Sequence, residues 1–301
     1  MTTPTAQTDT IELTIGHSPD PDDAFMWWPL GSVDPDSPSD PTIDTGRFRF
    51  FPVAADIQEL NRRAHEDGDL DITAVSFHAA ATSTDRYAVT SCGASIGDGY
   101  GPKLVARAGR ETLPKDAMIA LPGEHTTAYL LSRLMLGDGF RPVFMPFETV
   151  TGAIQRGEVD AGVVIHEAQI TYADEGLGLV RDLGGWWHEA TGLPTPLGAN
   201  AVRLDLDERY GAGTLGEVTT VLHRSILHAL ERRDFGVDYA LGFAQPGTSR
   251  EQADAFIAMY VNELTVDMCE RGEEALRLLV GMARERGLLA SGPDIRIVRP
   301  A

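Results

Sequence analysis

A histidine that directly follows a short apolar segment is the residue of this chain best suited to acid–base chemistry. His166 comes after residues 161–165, whose apolar run without alternation predicts a strand buried on both faces. Ligands of open α/β sheets bind outside the carboxyl ends of the strands, and histidine titrates nearest to neutral pH. We therefore predict that His166 is a general base. The alternative is that it only caps a helix or closes the edge of the core.

Two hydroxyl residues occupy comparable places in the pattern. Residues 68–76 repeat the order of glycine, acid, apolar residue, Asp and strand found at residues 157–164, which places Ser76 at a strand end as well. This repeat is short, and any helix–turn–strand unit favours a glycine after its helix. Thr126 precedes a segment with helical spacing and is a predicted N-cap beside free amides that bind anions. Capping alone explains Thr126 equally well.

An acidic loop with two prolines follows the first predicted strand. Residues 17–23 read HSPDPDD and lead into an apolar segment that is predicted to be helical. Asp22 or Asp23 is the predicted N-cap of that helix. This loop lies at the carboxyl-end edge of its predicted sheet, and His166 lies at the same edge of the other sheet. A functional role and a capping role are equally consistent with the pattern.

The composition excludes several classes of protein. The chain has 301 residues with 43% hydrophobic and 23% charged residues, which indicates a soluble globular protein of two domains. The formal net charge of −20 argues against a nucleic-acid partner, and no apolar run approaches the ~20 residues of a membrane span. Cys92 and Cys269 offer no disulfide framework or metal spacing. Residues 1–10 lack the apolar segment of a secretion signal, so we expect a disordered tail and a cytoplasmic location.

The order of the predicted elements favours an α/β fold of two lobes, with the chain crossing between them twice. We place the crossings near residues 107–116 and 200–204, so that 1–109 and 202–301 form a large discontinuous domain and 110–201 a small one. The predicted strand at 103–108 then belongs to the first lobe. After residue 213 four apolar stripes predict helices. They are interrupted at Asn262 and Glu263, which either face the cleft or, on the safer interpretation, join two helices.

Eight groups of residues in this order carry a resemblance to a known family. They are Ser18-Pro19 with Asp23 and Phe25; 75–79 (VSFHA); 101–105 (GPKLV); Pro122-Gly123 with 126–128 (TTA); 165–167 (IHE) with Thr171-Tyr172; Leu183-Gly184 with Trp186-Trp187; 191–194 (TGLP) with 196–198 (PLG); and 260–263 (YVNE). Together they resemble the 1,4-dihydroxy-6-naphthoate synthases of the futalosine route to menaquinone. The resemblance covers most of the chain, and it is most specific around His166 and residues 191–198.

The resemblance implies a two-lobed fold like that of type II periplasmic binding proteins, with the site in the interdomain cleft. It implies an enzyme without metal or cofactor that cleaves cyclic dehypoxanthine futalosine, a small-molecule carboxylate substrate, to 1,4-dihydroxy-6-naphthoate and a three-carbon fragment. No nucleic acid or membrane is an expected partner. The catalytic histidine of the family falls on His166. The predicted substrate-binding residues are Ser18, Val75, Ser76, Thr126 and Thr127, with Glu167 and Asn262 as supporting residues.

One departure from the family pattern bears on the substrate. The first loop of the family reads Ser-Pro-Cys-Pro-Asn-Asp, whereas this chain has Asp20 and Asp22 in place of the Cys and the Asn. These acids lie near a site expected to bind a carboxylate, so the pattern also allows a divergent subgroup that acts on a related compound. Two rival functions share the expected fold: a solute-binding protein that closes on a small anion without chemistry, and a relative of chorismate dehydratase.

Overall fold

The computed structural model describes residues 10–34, 39–245 and 247–301. The tail expected at residues 1–10 lies outside the described residues except for Thr10. Within the described ranges the chain is a mixed α/β protein whose strands form two separate sheets. The predicted fold class is therefore confirmed.

The described strands are β1 (Ile11–His17), β2 (Phe48–Ala54), β3 (Ile72–Ser76), β4 (Tyr87–Thr90), β5 (Ser95–Gly97), β6 (Lys103–Arg107), β7 (Ala117–Leu121), β8 (Phe140–Phe144), β9 (Ala161–Val164), β10 (Leu177–Asp182), β11 (Thr195–Arg203) and β12 (Ile297–Val298).

The described α-helices are α1 (Pro21–Trp27), α2 (Ile57–Arg62), α3 (Phe77–Thr82), α4 (Thr127–Leu136), α5 (Val150–Arg156), α6 (Ala168–Thr171), α7 (Leu183–Thr191), α8 (Leu206–Tyr210), α9 (Thr214–Glu231), α10 (Arg233–Ala240), α11 (Arg250–Tyr260), α12 (Glu263–Val266) and α13 (Cys269–Glu285). Short 3-10 helices lie at Trp28–Leu30, Phe147–Thr149 and Leu241–Phe243, and a π-helical turn at Arg63–Asp67.

The first sheet has seven strands in the order β12, β4, β11, β3, β1 and β2, with β5 paired to β11. Strand β1 runs parallel to β2 and β3, whereas β11 runs antiparallel to β3 and β4. The long helices α9 and α13 pack with buried apolar stripes, such as Val218, Leu222 and Ile226 on α9. The apolar stripes predicted after residue 213 thus mark helices of the structure.

The second sheet has five strands in the order β10, β6, β9, β7 and β8. The expectation that the strand at 103–108 belongs to the first lobe is wrong, because β6 pairs antiparallel with β9 and β10. Strand β11 lies wholly in the first sheet. The chain therefore leaves the first sheet between β5 and β6 and returns before residue 195. A strand that is buried on both faces carries no sign of which sheet it joins, so the sequence could not place these crossings.

Candidate active site

The carboxyl ends of strands from both sheets meet at one cleft. Strands β1 and β3 of the first sheet lead to Ser18 and Ser76, while β7 and β9 of the second lead to Thr126 and His166. All four residues line a cavity of about 760 Å³ that includes its open mouth. Strand β9 ends two residues before His166, so the predicted strand-end position is confirmed. Val75 and Thr127 line the same cavity.

Much of the cleft wall is apolar. The residues that supply this surface include Ile57, Ala74, Pro102, Ile165, Leu197 and Phe256. A mostly apolar cleft with a few convergent polar groups is the usual form of a small-molecule site.

The ring of His166 is held between aromatic neighbours and by an unusual backbone. Its φ of 53° lies in the left-handed region, which costs a non-glycine residue of order 1–3 kcal/mol and is concentrated at functional sites. The ring centroid lies 4.6 Å from that of Phe147 and 6.3 Å from that of Phe256, both edge-on. Nε2 is buried and has no hydrogen-bond partner in the described ranges. His166 therefore keeps one ring nitrogen available to a ligand.

Burial is the main influence on the protonation of His166. It lowers the pKa of the imidazole because the cation loses its hydration, and the nearby carboxylates of Glu167, Asp56 and Asp23 only partly oppose this. The net pKa lies below the ordinary histidine value. Burial accordingly favours the neutral form of the His166 imidazole.

The other ring nitrogen of His166 faces the acidic loop. Nδ1 lies 3.2 Å from Oδ2 of Asp20, whose side chain is 5% exposed. Asp20 is also the N-cap residue of α1 by position, although its side chain does not cap. The prediction that Asp22 or Asp23 caps this helix is wrong, because Pro21 takes the first helical position and the helix starts two or three residues earlier than either cap would place it.

Asp22 and Asp23 of this loop differ in their hydrogen bonds. Ser18 donates from its amide and its hydroxyl to Oδ2 of Asp23, at 2.7 and 3.0 Å, which fixes the loop. Oδ1 of Asp22 is buried without a partner among the described residues, and Asp22 lines the cleft. Burial raises the pKa of Asp20, Asp22 and Asp23, because each charged form loses hydration.

Ser76 is positioned by a residue that the sequence analysis did not select. Asn61 is fully buried. It accepts from the Ser76 amide at 2.8 Å and donates to the Ser76 hydroxyl at 3.0 Å and to the carbonyl oxygen of His125 at 3.3 Å. Because the hydroxyl of Ser76 accepts from Asn61, its own proton is free to face a ligand. A lone Asn inside a helical pattern carries no sequence signal for such a role.

The N-terminus of α4 offers amides rather than hydroxyls. Thr126 is the N-cap as predicted: its hydroxyl accepts from the Tyr129 amide at 3.2 Å and donates to the Gly123 carbonyl at 2.7 Å. The Thr127 hydroxyl donates to the Leu197 carbonyl at 2.6 Å. The first amides of a helix, here those of Thr127 and Ala128, have no intrahelical acceptor and favour an anion.

Glu167 and Asn262, the two predicted supporting residues, make contacts that mainly stabilise the fold. Glu167 is buried at the N-cap position of α6 and accepts weakly from the Gln245 amide at 3.5 Å, so it acts on His166 through its charge. Asn262 does not line the cleft. It caps α12 and donates to the carbonyls of Ile96 and Met259, as the safer interpretation expected.

The sequence patterns did not mark four polar residues of the cleft wall as site residues, namely Ser95, Gln169, Asn200 and Tyr260. The hydroxyl of Tyr260 hydrogen-bonds to the side chain of Gln169 at 2.8 Å, and both residues line the cavity. Burial raises the pKa of Tyr260, which keeps the phenol neutral. Among the described residues no group of three or more His, Cys, Asp or Glu side chains is arranged to hold a metal ion, and no helix is long and apolar enough to cross a membrane.

Solved structures define the class of fold. The ligand-binding component of an ABC-type import system from Staphylococcus aureus matches with a TM-score of 0.69 at 14% identity, over 96% of each chain. The periplasmic aliphatic sulphonate-binding protein of Escherichia coli matches with a TM-score of 0.60 at 13% identity, over 96% of this chain and 92% of its own. The chain therefore has the fold of the periplasmic ligand-binding proteins.

Closer relatives define the family. A family model described as menaquinone biosynthesis matches residues 13–285. The 1,4-dihydroxy-6-naphthoate synthases of Thermus thermophilus and Streptomyces coelicolor are 38% and 37% identical, over 93% and 94% of this chain and 97% and 96% of their own. A crystal structure of an Archaeoglobus fulgidus protein matches with a TM-score of 0.81 at 40% identity, over 92% and 98% of the two chains. The chain belongs to the 1,4-dihydroxy-6-naphthoate synthase family and is an enzyme of menaquinone biosynthesis.

Proposed function

We propose that this protein is a carbon–carbon lyase that cleaves cyclic dehypoxanthine futalosine to 1,4-dihydroxy-6-naphthoate with release of a three-carbon fragment. One observation carries the proposal: His166 presents an unpartnered, buried Nε2 in an apolar cleft that also contains the free amides of α4. A neutral base opposite an anion site is what proton abstraction from an anionic aromatic substrate requires.

Two sets of polar groups in the cleft suit this substrate. The amides of Thr127 and Ala128 and the hydroxyl of Ser76 are donors, and they would bind the carboxylate. The acids Asp20, Asp22 and Asp23 belong to the loop after β1, where Asp20 contacts His166. A carboxylate substrate is compatible with this acidic loop if its charge is bound by the donors.

The chemistry requires one base and no redox step. Nε2 of His166 would take the proton of a hydroxyl on the three-carbon fragment. As that oxygen forms a carbonyl on the fragment, the carbon–carbon bond to the ring would break, and its electron pair would pass to the ring carbonyl as an enolate. Reprotonation of the enolate oxygen gives the hydroquinone. The gain of aromatic stabilisation drives the cleavage, and nearby amide or hydroxyl donors would stabilise the developing negative charge.

The test is turnover of the cyclic substrate by the purified protein, followed as appearance of the naphthoate. Chorismate is tested in parallel, since a dehydratase of the same fold would consume it. Binding of the naphthoate without turnover of either compound would identify a solute-binding protein and overturn the proposal. Turnover of a related cyclic compound in preference would identify the divergent subgroup.

A further inference from the structure

The acidic loop contacts the proposed base directly, and this contact has no counterpart in the expected family loop. Oδ2 of Asp20 lies within ion-pair distance of Nδ1 of His166, at 3.2 Å, and has no hydrogen-bond partner among the described residues. The loop that carries Asp20 is closed by two hydrogen bonds from Ser18 to Asp23, and His166 has a left-handed φ.

We propose that Asp20 is a positioning residue, whose carboxylate accepts the Nδ1 proton of His166 and so leaves Nε2 as the bare nitrogen that faces the substrate. The two nitrogens of a neutral imidazole share one proton, and the hydrogen bond of one nitrogen decides the state of the other. Without an acceptor at Nδ1 the ring distributes between two tautomers, and one of them carries its proton on Nε2 and is inactive as a base. This inference rests on the proposed general-base role of His166.

Several carboxylates surround His166, but they differ in how they interact with its ring. Glu167 at the start of α6, Asp56 before α2, Asp23 on α1 and Glu148 in a 3-10 helix all favour its protonated form through their charge. Asp20 is the carboxylate within ion-pair distance of the ring among the described residues. The charges of the others set how readily His166 is protonated, whereas Asp20 can also select the tautomer.

Asp56 supplies a matched control for this distinction. Its charge acts on His166, but its side chain caps α2 by accepting from the Gln58 amide at 2.8 Å. Asn is as good an N-cap as Asp, so Asp56→Asn removes one charge near His166 and keeps the local structure. Asp20→Asn removes the charge in contact and keeps the shape, while Asp20→Ala removes the acceptor as well.

The pH–rate profile of kcat separates the two effects. In Asp20→Asn and Asp20→Ala we expect the maximal rate on the high-pH plateau to fall, by about 10²–10⁴-fold in the Ala variant, as for a wrong imidazole tautomer in a Ser-His-Asp triad. In both variants the acid limb moves to lower pH, because a carboxylate that favours the imidazolium is lost. Asp56→Asn should move the limb in the same direction and leave the plateau within a few fold of wild type.

A second measurement identifies the tautomer of the His166 ring and requires no turnover of substrate. Nitrogen-15 NMR of the histidine rings at pH 8, with the His166 signals assigned by their loss in His166→Asn, should show a protonated Nδ1 and a bare Nε2 in the native chain. In Asp20→Ala the two nitrogens should shift toward each other as the tautomers mix.

The outcomes distinguish this inference from the proposed function. A bare Nε2 in native protein and a mixture in Asp20→Ala support the positioning role even if the substrate assignment fails. An unchanged tautomer in Asp20→Ala, or a plateau in Asp20→Asn equal to that in Asp56→Asn, would reduce Asp20 to one more nearby charge and overturn the inference. If Asp20→Ala does not fold, Asp20→Asn decides on its own.

Discussion

At the scale of single residues, the proposed mechanism depends most on His166. The change His166→Asn keeps a polar side chain of similar size, so the fold and the binding of the naphthoate should persist. Turnover should fall about 10²–10⁴-fold, the usual contribution of a positioned base. Single-turnover rates within a few fold of wild type, at an unchanged melting temperature, would leave His166 as a structural residue.

The rate of the native enzyme should also depend on the protonation of His166. Burial lowers the pKa of the imidazole, so the neutral base persists to a lower pH than for an exposed histidine. As the pH falls through that value the ring is protonated and the rate falls. We expect the midpoint of the acid limb below about 6.5, the ordinary value for histidine. A midpoint above 7 in the profile of kcat/KM would contradict this.

Substitutions at the hydrogen-bond donors of the cleft, which leave His166 unchanged, should weaken binding of the naphthoate. Thr126→Val removes the hydroxyl that caps α4, which costs about 1 kcal/mol of stability and loosens the first amides of the helix. Affinity for the naphthoate should fall. Thr126→Ser keeps the hydroxyl and is the control. Isothermal titration that finds equal affinity in Thr126→Val, Thr126→Ser and Ser76→Ala would place the carboxylate elsewhere.

At the scale of elements, two backbones approach closely where the chain crosses between the sheets. A Cβ added at Gly184, near the start of α7, would overlap the backbone of Tyr100, whereas one at Gly185 meets only the Asp182 side chain at 3.6 Å. Gly184→Ala should therefore lower the free energy of unfolding by about 1–3 kcal/mol, the usual cost of overpacking. Gly185→Ala should be neutral or stabilising. Equal denaturant midpoints for the two variants would show that the backbone around Tyr100 shifts at little cost to accommodate the added methyl group.

The elements of the site were predictable where the signal is local. An apolar run followed by His166 predicts a strand end, and Thr126 before a helical pattern predicts an N-cap, because both depend on neighbouring residues alone. The assignment of β6 to the second sheet, the bridge from Asn61 to Ser76 and the contact of Asp20 with His166 depend on residues far apart in the chain. Nothing in the local pattern encodes them, so only the structure brings them together.

At the scale of the whole molecule, the buried carboxyl of Asp22 in the acidic loop opposes stability as the pH rises. Asp22 is buried, and its Oδ1 has no partner in the described part of the chain. Burial raises its pKa in the folded state above the unfolded value. The folded protein therefore binds this proton more tightly than the unfolded chain. The contribution of Asp22 to stability is fully present below the unfolded pKa of about 3.9 and is lost as the pH rises through the folded pKa.

Removing this charge should stabilise the protein at alkaline pH. We expect Asp22→Asn to raise the melting temperature relative to wild type at pH 8, because a buried, unpaired charge no longer opposes folding. The gain should shrink as the pH falls and vanish near pH 4, where the wild-type carboxyl is protonated in the folded state. Asp234→Asn, at a side chain that is 98% exposed, is the control and should change little at either pH. A gain from Asp22→Asn that is the same at pH 4 and pH 8 would mean that the charge of this carboxylate does not strain the fold, and that the acidic loop is accommodated without cost to the molecule.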